Sequence, residues 1–265
     1  MTAWICTTCC VQYPETATPP ERCAICEDER QYVGAEGQRW TSMEAIARNH
    51  HNDWRALAPG LAGIGVTPAV GIGQRSLFIM RPEGGVLWDM VPLITDETVG
   101  RIRAAGGVAA IAISHPHFYA AMVTWSERLG DVPIYLHEAD RAHVMRPSAN
   151  IRFWSGETLA LMDGVTLIRC GGHFEGSTVL HWAAGEGALF TGDTIQLVPD
   201  KGWVSFMRSY PNLIPLPAAR VRTIAGKVMP FAFEKLYGGW WDRVMTEDGQ
   251  GAVQRSAERY IRALE

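Results

Sequence analysis

From Leu61 onward the apolar positions gather into short runs separated by glycine or proline, a rhythm that predicts strands over residues 65–72, 76–80 and 86–90. The last of these follows a Glu83-Gly84-Gly85 turn, so the three read as a β-meander. Thr95 is placed to cap a helix that reaches residue 105, residues 108–113 read as a fully buried strand, and 117–129 as the next helix. A second strand and helix pair runs through 132–136 and 138–145. Strands return at 165–169, 178–183 and 188–191, followed by a helix at 217–228, a short strand near 235–237 and a terminal helix over 251–264. Antiparallel strands, then strands alternating with helices, in an order that recurs, predict an α/β (α+β) chain with two sheets enclosed by helices. Residues 1–37 lack this rhythm. Rich in Pro, Glu and Cys, they bury no core of their own and need a staple. The expected organisation is a small N-terminal module over 1–37 and one large domain over 38–265.

Composition narrows the partners. With 265 residues and 47% hydrophobic content the chain can bury the core that the strands imply. Its 24 basic and 28 acidic residues give a net charge of -4 and are spread without a basic run, which argues against nucleic acid. No window is apolar enough to span a membrane, and the N-terminus has neither the basic start nor the apolar stretch of a signal peptide, so a cytoplasmic protein is expected.

Five of the six cysteines fall within the first 26 residues. In a reducing compartment that clustering points to metal before disulfides. Cys6-Thr7-Thr8-Cys9 and Cys23-Ala24-Ile25-Cys26 form two CxxC knuckles 13 residues apart, the spacing at which four thiolates enclose a tetrahedral zinc. A structural zinc here replaces the missing core as the source of folding free energy, with rubredoxin-like iron and a redox CxxC as the alternatives. Cys10 is then the spare thiol.

A second group of ligand-type residues stands at strand ends. His115 and His117 flank Pro116 directly after the buried strand, where α/β folds commonly place ligands. Gly171-Gly172-His173, followed by Gly176-Ser177, and Phe190-Thr191-Gly192-Asp193 each add one ligand-type residue beside glycine. On these residues the chain resembles the metallo-β-lactamase superfamily from about Leu61 to its end. Val86-Leu87-Trp88-Asp89 looks like the apolar strand ending in Asp, Ser114-His115-Pro116-His117 like the opening of the HxHxDH motif, and Gly172-His173-Phe174-Glu175-Gly176-Ser177 like the GHxxGS segment. The segment ending in Asp193 is similar to the one that carries the bridging aspartate. That resemblance implies the αββα sandwich, with His115, His117 and His173 as metal ligands and Asp193 as a shared or fourth one.

Departures from the pattern are as informative. Tyr119 and Ala120 occupy the positions of the motif's Asp-His pair, which supplies the second metal site, and no histidine lies near Gly238-Gly239-Trp240, where the family's last one is expected. One ion is therefore expected where the family pattern has two. Zinc suits the donor set best, with iron or manganese as alternatives. Tyr119 is a candidate for oxyanion contact or proton delivery, against a place in the helix core, and Asp193 is the candidate catalytic carboxylate. Trp203, Phe206, Arg208 and Tyr210, with Trp240 and Arg243, are candidates to line an apolar substrate pocket with a cation for an anionic or carbonyl group. The competing reading is that the tryptophans fill core or the interface of a homo-oligomer. His137 is expected to cap or support before it ligates, His181 to be a satisfied structural residue, His50, His51 and His143 to lie on the surface, and Cys170 to be buried. The expected function is hydrolysis of a small ester, lactone, thioester or amide through a single metal. A mononuclear iron oxygenase acting on a sulfur compound and a non-catalytic metal-binding interaction protein are the alternatives.

Overall fold

The structure, a computed structural model, describes residues 1–264. The chain divides into two units, one formed by Met1–Leu136 with Arg141–Phe153, the other by His137–Asp140 with the chain from Trp154 onward.

The first unit opens with a three-stranded sheet of order β2-β1-β3, in which β1 is Thr2–Cys6, β2 Gln12–Thr16 and β3 Trp40–Thr41. After a short helix α1 (Met43–Ala47) come β4 (His51–Ala58), β5 (Leu61–Thr67), β6 (Ser76–Ile79) and β7 (Gly85–Trp88), an antiparallel meander. Helix α2 (Asp96–Ala104), β8 (Val108–Ala112), helix α3 (Met122–Arg128), β9 (Ile134–His137) and β10 (Ile151–Trp154) complete a seven-stranded sheet of order β10-β9-β8-β7-β6-β5-β4. β7, β8 and β9 are parallel. A parallel pair requires a crossover, and α2 and α3 provide the two crossovers. Thr95 caps α2 by accepting from the Thr98 amide, acidic Asp96 and Glu97 sit in its first turn, and Arg101 and Arg103 in its last, the arrangement that the helix dipole favours. Because β7 and β8 run the same way, the residues that follow them, Asp89 and Ser114 to His117, emerge at one end of this sheet.

The meander begins earlier than the sequence pattern indicates: residues 68–72 are not strand, and β4 is an additional edge strand. The single helix expected over 117–129 is also divided. A 3₁₀ turn over Pro116–Phe118 ends at Tyr119, Ala120 takes a left-handed φ of 39°, and α3 starts at Met122. A non-glycine residue in that region costs about 1–2 kcal/mol, so the surroundings must hold it.

The second unit is a six-stranded sheet of order β11-β12-β13-β14-β19-β20, with β11 Thr158–Met162, β12 Val165–Arg169, β13 Thr178–Trp182, β14 Ala188–Phe190, β19 Lys235–Tyr237 and β20 Val244–Met245. Two small ribbons follow, β15 (Gln196–Leu197) with β16 (Val204–Ser205) and β17 (Met207–Ser209) with β18 (Ile214–Pro215). Then come helix α4 (Ala218–Val228), β19 (Lys235–Tyr237), β20 (Val244–Met245) and helix α5 (Gly249–Arg262). Ile168, Val179, Leu189, Val221, Ile224 and Leu236 belong to its buried core, as do Val253 and Ala257 of α5. β13 is antiparallel to both β12 and β14, while β14 and β19 are parallel. The loop after β12 and the segments after β14 and β19 therefore leave at the same end of the sheet, which places His173, Asp193 and the 238–243 turn at that end. Among the described residues no helix is long and apolar enough to cross a membrane.

Candidate metal centres

Two groups of side chains offer metal-ligating atoms: Cys6, Cys9, Cys23 and Cys26, and His115, His117, His173 and Asp193. All eight residues are buried.

The four cysteines lie within the first unit, and none is in a disulfide. Cys6 Sγ is 3.6 Å from Cys26 Sγ, and Cys9 Sγ is 3.6 Å from Cys23 Sγ. A disulfide needs about 2.05 Å. Four sulfurs about 2.3 Å from one zinc at tetrahedral corners are separated by about 3.8 Å, which the observed spacing approaches. Burial pushes the Cys9 thiol far up, and its neighbours oppose a further thiolate, whereas hydrogen bonds from Cys26 and Cys6 hold Cys23 far down. A set in which neighbouring charges oppose one another is completed by a divalent cation, so the donor set fits zinc. Tyr13 buttresses the second knuckle, accepting from the Ala24 amide at 3.0 Å and packing edge-on against Trp40. Cys10, next to Cys9, has a φ of 65°, and burial pushes its thiol up to about 12.

The members of the histidine group are supported within their own units. In the first unit His115 is extended and Pro116 starts the 3₁₀ turn, so that the His115 and His117 rings meet edge to face with centroids 5.1 Å apart. Asp89, just past β7, accepts at one carboxylate oxygen from the Ser114 amide at 2.8 Å and from the Ser114 hydroxyl at 2.7 Å. A hydroxyl carries one proton. With that proton given to Asp89, Ser114 Oγ, 2.8 Å from His115 Nδ1, must accept from it, which leaves His115 Nε2 as the bare nitrogen. Such an outer partner is what orients a ligating imidazole. Tyr119 is buried and borders a small cavity with Val11, Gln12 and Arg146. Gln12 reaches the same segment: its amide donates to the Ala120 carbonyl at 3.0 Å, and its Oε1 accepts from Thr124 at 2.9 Å and Arg146 at 2.5 Å.

In the second unit His173 sits on a loop that glycine makes possible. Gly172 has a φ of 89°, and a Cβ there would lie 2.7 Å from Ile224 Cδ1. His173 Nδ1 lies 3.2 Å from the Met207 carbonyl, which can only accept, so Nδ1 carries the proton and Nε2 is again the bare nitrogen. His173 Nε2 is 3.8 Å from Asp193 Oδ2, beyond hydrogen-bond length and near the separation of about 3.4 Å of two ligands on one zinc. Tyr210 donates its hydroxyl toward the backbone carbonyls of Asp193 at 3.1 Å and Ser205 at 3.3 Å, and its ring lies 6.0 Å from that of His173. Burial first, and the Asp193 carboxylate second, push the Tyr210 hydroxyl well above its ordinary pKa.

The remaining pocket candidates of this unit separate. Phe206 is in the core, edge-on to Tyr260 at 6.0 Å. Trp203 is covered by Arg259, whose guanidinium lies 3.5 Å from its ring centroid. Trp203 and Arg243 border one cavity of about 750 Å³, which none of His173, Asp193 and Tyr210 lines. Arg243 pairs with Asp242 at 2.5 Å, and its amide donates to the Trp240 carbonyl. Arg208 lies on β17, next to the Met207 carbonyl that holds His173.

Two other histidines are satisfied without metal. His137 Nδ1 accepts from the Ala139 amide at 3.2 Å and Nε2 lies 3.1 Å from the Gly156 carbonyl, so both ring nitrogens are committed. His181 Nε2 is 2.8 Å from the Ala232 carbonyl. The support from Gln12 has no signature in the sequence, because a backbone bond across more than a hundred residues leaves no local pattern.

No protein-family model matches the chain. Over 269 aligned residues it is 47% identical to the uncharacterized protein YmaE of Bacillus subtilis (strain 168), which takes in 100% of this chain and 97% of that one. Among solved structures it is similar to the metallo-β-lactamase FIM-1 from Pseudomonas aeruginosa in its mono-zinc form, with a TM-score of 0.58, 12% identity and coverage of 78% and 95% of the two chains. A metallo-β-lactamase from Pontibacter korlensis gives a TM-score of 0.58 at 15% identity, covering 79% and 99%. At such identities the likeness establishes the fold, and activity has to be argued from the site.

Proposed function

Since the chain belongs to one family with YmaE of Bacillus subtilis and has the αββα metallo-β-lactamase fold, we propose that it is a metal-dependent hydrolase of small esters, lactones, thioesters or amides that works with one ion. His115, His117, His173 and Asp193 are the proposed ligands. One observation carries this reading: two of the buried imidazoles, His115 and His173, have their Nδ1 atoms already engaged, by Ser114 and by the Met207 carbonyl, which turns both Nε2 atoms into donors for a cation. Three imidazoles and one carboxylate suit zinc, with iron and manganese as alternatives. Tyr119 and Ala120 bring no second set of ligands, and the mono-zinc form of FIM-1 is a relative in fold with one ion.

An ion of this kind polarises a carbonyl and activates water near neutral pH. The chain's own residues supply the rest. Asp89 and Ser114 hold His115 in one tautomer, the Met207 carbonyl does the same for His173, and Tyr210 fixes the backbone at Asp193. Tyr119 is the proposed proton donor to the developing oxyanion or leaving group. Arg208, beside the carbonyl that holds His173, is the proposed cation for an anionic substrate, while Trp203 and Arg243 offer a second, separate cavity of a size suited to a small molecule.

Turnover of an ester, lactone, thioester and amide panel by zinc-, iron- and manganese-loaded protein, with His117→Ala as the matched control, tests the proposal. Hydrolysis by the loaded protein that falls to background in His117→Ala is the expected result. A fully loaded protein that turns over none of the four classes overturns it, and oxygen consumption with a thiol by the iron form would favour oxidative chemistry instead.

A further inference from the structure

We propose that Gln12 is a positioning residue that couples the four-cysteine centre to the His115-Pro116-His117 turn, so that a filled cysteine site tightens metal binding at the histidines. The inference rests on the reading that His115 and His117 hold metal, and the contacts that carry it all lie within the first unit.

Gln12 stands three residues beyond the ligand Cys9, at the exit of the first knuckle. The knuckle closes on itself through Cys10 N–H to the Cys6 carbonyl at 2.9 Å and Cys6 N–H to the Val11 carbonyl at 3.1 Å, and Gln12 pairs with Ile5 across the β1-β2 ribbon. An ion held by Cys6 and Cys9 therefore fixes the backbone from which Gln12 projects. On the other side, Gln12 straddles the break after His117. Its backbone N–H donates to the carbonyl of Ala120, the left-handed residue that ends the histidine turn, while its side-chain Oε1 accepts from Thr124 in the first turn of α3. Arg146 closes the group by donating to both Gln12 Oε1 and Thr124 Oγ1, the latter at 2.7 Å. Gln12 is buried, with 4% of its surface exposed, so these bonds are shielded from water. Nothing else in the local sequence favours a left-handed alanine at 120, since alanine is a strong helix former and an unbroken helix over 117–129 is what its neighbours encode. The contacts of Gln12 select the broken form, and the broken form sets how the 3₁₀ turn presents His117. A ligand whose supporting shell loosens loses metal affinity, typically about 10- to 100-fold.

The test measures zinc affinity at the histidine site by chelator competition on the full chain, with cobalt thiolate absorption reporting the cysteine site separately. Gln12→Ala, which keeps the backbone bond to Ala120 but removes the side-chain acceptor for Thr124 and Arg146, is expected to keep the cysteine site filled and weaken zinc at the histidines about 10- to 100-fold. Gln12→Glu, which keeps the acceptor for Thr124 and Arg146, is expected to restore most of the loss. A merely structural role would lower the melting temperature and leave the affinity of the folded protein unchanged. Should Gln12→Ala fail to fill the cysteine site, Thr124→Val removes one of the bonds from the α3 side and must shift histidine-site affinity in the same direction. Two zincs in the wild type with unchanged histidine-site affinity in the variants would overturn the coupling alone. A wild-type chain that takes up zinc only at its cysteines would overturn the histidine site and the coupling with it.

Discussion

The cysteine group and the histidine group each gather four buried donors, but from opposite materials. Cys6, Cys9, Cys23 and Cys26 come from two tight turns of one short segment, and their sulfurs already stand at nearly tetrahedral separations. Their donors are all anionic when ligating, and the segment that bears them has little core to fall back on. His115, His117, His173 and Asp193 sit instead at the ends of strands in two well-packed units, and the orientations of His115 and His173 are set by outer partners. The first arrangement spends metal binding on folding. The second leaves folding to the sheets and makes the donors depend on hydrogen bonds one layer out.

Three substitutions probe that contrast, in decreasing order of expected effect. Cys23→Ala removes one corner of the tetrahedron, and since structural zinc in small modules is worth about 10–16 kcal/mol of apparent binding free energy, most of the order of residues 1–37 should go with it. Hydrogen exchange should show β1 and β2 losing protection while β5 to β8 keep theirs, and a variant with β1 and β2 still protected would erase the distinction. Ser114→Ala should spare the cysteine site and weaken metal binding at the histidines about 10- to 100-fold, because His115 loses the group that fixes its tautomer. Equal weakening at both sites, measured by chelator competition, would contradict it. The smallest effect concerns His137, a buried histidine at a strand end that is not in the ligand group. Burial lowers its pKa below the ordinary value of about 6.5, and protonation at Nδ1 would oppose the Ala139 amide that this atom accepts from. The folded state thus binds fewer protons there than the unfolded one, so its contribution to stability is full above about pH 6.5 and is lost as pH falls through the lowered value. Melting curves of His137→Gln below pH 6.5 should decline less steeply than wild type, by at most about 1.4 kcal/mol per pH unit. Parallel curves would show that His137 does not titrate on unfolding.

In the two large sheets the strands that the sequence discloses and those it conceals differ by position. The strand Val165–Arg169 and the strand Lys235–Tyr237 coincide with their predicted ranges, and β8 nearly so, because each carries buried apolar residues between turn signals. β4, β10, β11 and β20 escape the pattern, and all four are sheet edges. An edge strand such as His51–Ala58 mixes Asp53 and Arg55 with Trp54, a composition that suits solvent and prevents stray pairing but hides the strand. The same division holds at the metal sites. CxxC pairs and HxH are local spacings and can be read directly, as can the glycines beside His173. The bonds from Gln12 to Ala120 and from Met207 to His173 join distant stretches of chain, so they exist only once the fold is formed.

Cys9 and Cys10 pose a problem of identity, since adjacent thiols offer a metal two nearly equivalent ways to be bound. One backbone rotation resolves it. With its φ of 65°, Cys10 points its sulfur toward Gly71, where even a single added carbon would come within 2.3 Å of Sγ. Gly71 thus acts as a keeper for a thiol that has no share in the ion, and a mutation there would disturb which of two neighbouring sulfurs the metal chooses.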